Sequence, residues 1–193
     1  MIYEFLLLSF FLLPVFMGNP LPTRRLLEET SLLDLDIFSN VASKVPSVTK
    51  FMNMMQNNPL IKTVDDSSAI TVFLPSNDAV EMYNFPNNGA NLPSDIAFAI
   101  FSNHILLSNI KLDSIQAMQL LTVGKTLVQI EQDPFTLETR IAIGHDTCYQ
   151  SAIIENINAP IFTSNGIVYI ISTILMPTPV IDYVKFHRLT SCS

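Results

Sequence analysis

Two runs in this chain have no polar face. Val72-Phe73-Leu74, inside AITVFLP, and the run beginning at Ile167, inside NGIVYIISTILMP, are apolar at consecutive positions rather than at alternate ones. A strand points successive side chains to opposite faces, so a strand apolar at every position needs cover on both. β-Branched and aromatic residues dominate both runs, as a strand favours. Each is therefore predicted to be a central strand.

The rest of the chain divides by texture. Leu26 to Lys44 reads as helical, with Leu32, Leu35, Phe38 and Val41 spaced by three and Asp34 and Asp36 near its start. Pro46 opens a second helix whose apolar face is Val48, Phe51, Met52 and Met55, and Asn57-Asn58-Pro59 stops it. The methionines of that face read as core filler. After the first central strand, Pro75 closes it and Ser76 or Asn77 supplies the cap oxygen of a short helix. Phe85 to Pro93 is a loop, DIAFAIFSN a helix, and HILL, from His104, an extended stretch. Strand-like runs then follow at 120–123, 126–130, 139–143, 151–154 and 167–171, punctuated by Gly124-Lys125, Asp133-Pro134, Gly144-His145-Asp146 and Ser164-Asn165-Gly166. Asn165-Gly166 suits the positive-φ positions of a tight hairpin turn. Helices first and strands after give an α+β layout, with helices packed to one side of about seven strands.

The first residues carry a different signal. Phe5 to Phe16 form a nearly unbroken apolar run. Twelve helical residues rise about 18 Å, short of a hydrocarbon core of roughly 30 Å, and match the core of a secretory signal peptide. Residues 1–18 are thus expected to be an export signal, and 19–33 a linker with a candidate processing site at Arg24-Arg25. Export makes the two cysteines informative, since thiols pair in an oxidising compartment. Cys148 and Cys192 are candidates for a disulfide within the chain; pairing of Cys192 with another chain is the alternative.

Charge and motif exclude several chemistries. The chain has ten Lys/Arg against seventeen Asp/Glu, a net −7, and so lacks the basic surface that phosphate backbones require. Gly124-Lys125-Thr126 resembles the end of a phosphate-binding loop, but position 119 is Gln119 where that loop needs glycine. His145, Asp146 and Cys148 are too few for a structural zinc site, and His104 and His187 lie in segments of other character. No Gly-x-Ser-x-Gly elbow occurs and no carboxylate pair stands out as acid and base. The expectation is a non-enzyme without a cofactor or metal.

Three segments together resemble the fasciclin-like domain family. TVFLPSNDAV, from Thr71 to Val80, is similar to the family's first signature, of which Thr71, Val72, Phe73, Pro75 and Asn77 are the matching positions. NGIVYIISTILMP resembles the second, with Asn165, Gly166 and the closing Pro177. Asn103-His104 falls between them, where the family usually carries Tyr-His followed by apolar residues. Tyr169 stands where a His is common and Ser172 where an Asp is common.

The resemblance implies a β-sandwich or wedge with helices on one side, a domain over 34–178 and a tail over 179–193. It also implies secretion or surface display, and adhesion to an extracellular protein, matrix or wall component. The alternative is a carrier or sensor of a small apolar ligand such as a lipid. Asn103 and His104 are the candidate adhesion or structural motif. For His104 the residues favour a buried, hydrogen-bonded histidine that holds a signature loop.

Overall fold

The structure, a computed structural model, describes residues 38–89, 91–112, 117–145 and 148–186. The expected export signal, the expected linker with Arg24-Arg25, residues 34–37, Asp146, His187 and Cys192 lie outside the described residues, and so does any 148–192 bridge.

Short helices open the chain: α1 (Val41–Lys44), α2 (Thr49–Met55) and α3 (Leu60–Asp65). Strand β1 (Ile70–Pro75), helix α4 (Asn77–Glu81), helix α5 (Ser94–Ser102) and strand β2 (Ile105–Leu106) follow. Then come β3 (Met118–Leu121), β4 (Leu127–Gln132), β5 (Thr139–His145), β6 (Cys148–Ile153), β7 (Ile161–Thr163), β8 (Gly166–Ile171) and helix α6 (Thr178–Phe186). The strands form two four-stranded sheets, ordered β2-β1-β8-β7 and β3-β4-β5-β6.

The two runs without a polar face lie side by side. β1 and β8 pair in parallel, from Ile70 beside Gly166 to Pro75 beside Ile171, at the centre of the first sheet. Their alternating side chains feed two cores. Ile70, Val72, Leu74 and Val168 pack against the helices with Val48, Phe51 and Met55. Phe73, Ile167, Tyr169 and Ile171 pack against the second sheet with Val128, Ile130, Ile141 and Ile143. The order is helices, sheet, sheet, so the central strands are covered on both faces as their composition demands.

The signature residues are mostly fasteners. Ser76 caps α4, its Oγ accepting from Ala79 N–H at 3.3 Å. Asn77 does something else. Its Oδ1 accepts from Lys50 N–H at 2.9 Å and its Nδ2 donates to the Pro46 carbonyl at 2.8 Å, tying the start of α2 to the start of α4. The buried Thr71 hydroxyl donates to the Ser108 carbonyl at 2.7 Å and accepts from Ile110 N–H at 2.9 Å. The Phe73 ring stacks on Tyr169 at 5.9 Å.

Two expectations need correction, and two others are refined. The second signature does not open with a positive-φ turn: Asn165 and Gly166 are not among the residues with positive φ. Asn165 instead reaches across the fold, its Nδ2 donating to the Val64 carbonyl at 2.8 Å. Gly166 is required by close approach, since a Cβ there would sit 2.2 Å from the Ile70 carbonyl oxygen. The α+β layout with about seven strands is borne out, with eight strands among the described residues; β7 has three residues and is too short to show a period. Asn57-Asn58-Pro59 stops α2 at Met55 as expected, and Asn58 Oδ1, accepting from Leu60 N–H at 3.0 Å, starts a further short helix, α3. The segment read as a tail from 179 begins as helix α6, which buries Val180, Ile181 and Val184 in the helical core.

One hairpin is strained. Leu137, in the turn between β4 and β5, has φ of 60° and a side chain 68% exposed. A left-handed conformation costs a branched residue about 1–2 kcal/mol, and asparagine adopts it more readily. Leu137→Asn is expected to raise stability by about 1 kcal/mol; urea unfolding of both proteins checks it.

Candidate functional site

Helix α5 ends by handing the chain to β2 through Asn103-His104, and this junction anchors a surface concavity. His104 is 0% exposed. Its Nδ1 lies 2.7 Å from the Ile100 carbonyl, and its Nε2 accepts from Leu175 N–H at 3.0 Å. A carbonyl can only accept and an amide N–H can only donate, so the ring is the neutral Nδ1–H tautomer. Burial lowers its pKa to about 4, only partly opposed by the Ile100 hydrogen bond. The backbone joins in: Phe73 N–H donates to the His104 carbonyl at 2.9 Å. His104 thus ties the α5 end to β1 and to the close of the second signature. It offers no surface to a partner.

Asn103 is also buried. Its Nδ2 donates to the Ala99 carbonyl at 2.8 Å, and its Oδ1 accepts from the Thr122 hydroxyl at 3.2 Å. Gly124 packs directly on it; a Cβ there would lie 2.6 Å from Asn103 Nδ2. The β3–β4 turn that carries Gly124 is closed by Thr122, whose carbonyl accepts from Lys125 N–H and whose hydroxyl accepts from Thr126 N–H. Gly124-Lys125-Thr126 is therefore a hairpin turn against α5, with Lys125 at φ 61°.

Between this turn and α5 lies a groove of about 660 Å³. Phe98, Ala99 and Asn103 line it from α5, and Lys125 and Leu127 from the turn and the start of β4. Ile143 at the end of β5, Met176 and Pro177 of the second signature, and Ile181 of α6 complete it. Phe98 is 42% exposed and Leu127 52% exposed, and Leu121 lies opposite Leu127 across the ladder, also exposed. The groove is mainly apolar, with Lys125 its one charged lining residue among the described residues.

Of the residues singled out in the sequence, the fold brings Asn103 and Pro177 into this groove and places His104 behind it. Thr71, Val72, Phe73, Pro75, Asn77, Asn165 and Gly166 serve the frame instead. His145 and Cys148 are opposite one another at the β5–β6 end. No cluster of three metal-ligating side chains occurs among the described residues. Phe98 and Leu127 escape a reading by sequence, because an exposed apolar residue on a helix or strand end carries no signal there, while Lys125 is noticed only for its likeness to a phosphate loop.

The Fasciclin domain profile matches residues 46–177, more than half of the chain. The chain belongs to the fasciclin domain family. A solved FAS1 domain pair from the insect cell adhesion molecule Fasciclin I is similar in fold, with a TM-score of 0.52 and 19% sequence identity. That match covers 68% of this chain and 46% of the other, so the fasciclin domain described here spans about half the length of that structure. No curated protein matches the sequence. No helix among the described residues is long and apolar enough to cross a membrane.

Proposed function

We propose that this fasciclin protein is exported and acts in adhesion, docking an extracellular protein, matrix or wall component on the groove between α5 and the β3–β4 turn. The carrying observation is the exposed apolar pair Phe98 and Leu127 in the lining of that groove, with exposed Leu121 beside Leu127 on the ladder. Such residues stay in water in the free domain, and covering them is what association rewards. Membership of a family known from cell adhesion supports the same reading. His104 acts here as a positioning residue that holds the groove's back wall.

Phe98→Asp with Leu127→Asp is expected to lower attachment of the purified protein to matrix-coated or cell-coated surfaces by about tenfold or more, the loss typical of removing central contacts. Both side chains are partly exposed, so the melting temperature stays near that of the wild type. Unchanged attachment would refute the groove as the contact. A second reading, carriage of a small apolar ligand, is favoured by the groove volume, which falls in the range of small-molecule sites. A lipid released on denaturation and seen by mass spectrometry would support it.

A further inference from the structure

The turn between β4 and β5 displays what the groove lacks. Phe135 is 93% exposed, beside Leu137 at 68%. The ring is not on a loose loop. Asp133 Oδ1 accepts from Phe135 N–H at 2.8 Å and from Thr136 N–H at 3.0 Å. Leu137 N–H donates to the Asp133 carbonyl, Asp133 N–H to the Glu138 carbonyl, and Gln132 Nε2 to the Leu137 carbonyl. Thr136 and Arg140 both bond Glu138 Oε2. A dense bonding network, and a leucine held in a left-handed conformation, keep two apolar side chains in water. Observed strain and exposure at one place motivate a hypothesis of use.

Charge and placement select the occupant. The β4–β5 turn, a peg tipped by Phe135, carries the Asp133 and Glu138 carboxylates; Asp133 is held below its usual pKa chiefly by its two backbone hydrogen bonds. The groove's Lys125 ammonium has no hydrogen-bond or ion-pair partner among the described residues. Peg and groove also lie at opposite ends of one hairpin. β4 leaves the groove at Leu127 and reaches the peg after Gln132; β5 returns from Thr139 to Ile143. At about 3.4 Å per residue the two are roughly 20 Å apart, so they cannot meet within one chain. Translated onto another molecule, they can.

We propose that the domain associates head to tail with a second copy of itself, Phe135 of one molecule seated in the groove of the next and Lys125 facing Asp133. This rests on the groove being a docking surface and names its occupant. The contact is heterologous, leaving one free peg and one free groove on each pair, so it continues into a ring or an open chain. Its area is small and the single contact is weak and transient; many copies side by side would make it count.

Sedimentation velocity of the purified protein, over concentrations on the order of 10 μM to 1 mM, tests it with Phe135→Ser as a peg variant and Leu127→Asp as a groove variant. The expected result is a weight-average mass that rises past dimer for the wild type and stays monomeric for each variant alone. An equimolar mixture of the two variants should form dimers and nothing larger, because one intact peg and one intact groove remain. Should Leu127→Asp fail to fold, Phe98→Ser replaces it. A wild type monomeric throughout, or variants that associate as the wild type does, would overturn the proposal. So would a mixture that stays monomeric while the wild type associates, since that points to a symmetric contact. Attachment lost in the groove variant while the wild type remains monomeric would overturn self-association alone and leave the groove as a docking surface for another partner.

Discussion

Gly166→Ala is expected to cost at least about 3 kcal/mol, one of the largest losses available from a single added methyl group. Gly166 starts β8 and lies beside Ile70 of β1 in the parallel ladder. An alanine Cβ would sit 2.2 Å from the Ile70 carbonyl oxygen and 2.5 Å from Ile70 Cγ1. The side-chain carbon can rotate away; the carbonyl cannot, since moving it pulls β1 from its partner. Gly166 is buried, with the Asn165 side chain pinned to the Val64 carbonyl just before it. Relief must therefore come from splaying the two central strands, which separates both cores at once. Urea unfolding of the variant measures the cost. A loss under about 1 kcal/mol would show that the strands have room to part, and that Gly166 is not required by close approach.

That position also shows how far the sequence can be read. The Asn-Gly pair marks the start of the second signature, but turn dihedrals are the wrong chemistry for it. A sequence lists neighbours along the chain and not across it; the neighbours that fix Asn165 and Gly166, Val64 and Ile70, are about a hundred residues away. The central strands are legible because covering both faces leaves a mark at every residue of the run. The helix cap at Ser76 is legible because capping is local. β7 and α3 are not, because three and six residues are too few to establish a period. α6 is masked by its segment's polar end, although Val180, Ile181 and Val184 carry a helical spacing.

The groove is half legible. Asn103 and Pro177 are marked by the signatures, and both line it. Phe98, Lys125 and Leu127 belong to three separate elements and share no local pattern. The peg has one readable sign: Asp133-Pro134 marks a turn, and a phenylalanine immediately after a turn has no core to enter. Turns are polar when nothing uses them, so Phe135 is an exception that the order of residues already displays.

His104→Ala is expected to cost about 3–4 kcal/mol, from the cavity left by a fully buried ring and from Leu175 N–H losing its acceptor. The ring also lies 5.1 Å from that of Phe51, so its removal loosens the helical core. The same histidine makes stability depend on pH with a definite sign. Its pKa is about 4 in the folded chain against 6.5 when unfolded. Between those values the unfolded chain holds one more proton, so stability rises with pH there. The contribution is complete above pH 6.5, is lost as pH falls toward 4, and amounts to about 3 kcal/mol across the window. Carboxylates titrate in the lower part of that window, so the measurement is the difference between wild type and His104→Gln, which has no titrating ring. Urea midpoints for both proteins across the window should converge as pH falls, and parallel curves would show that the ring is already protonated or solvated in the fold. The adhesion assay completes the test. A positioning role makes lost attachment by His104→Ala follow lost folding, because the ring has no exposed surface. Full stability with attachment abolished would instead make His104 a contact residue and require the α5–β2 junction to open when a partner binds.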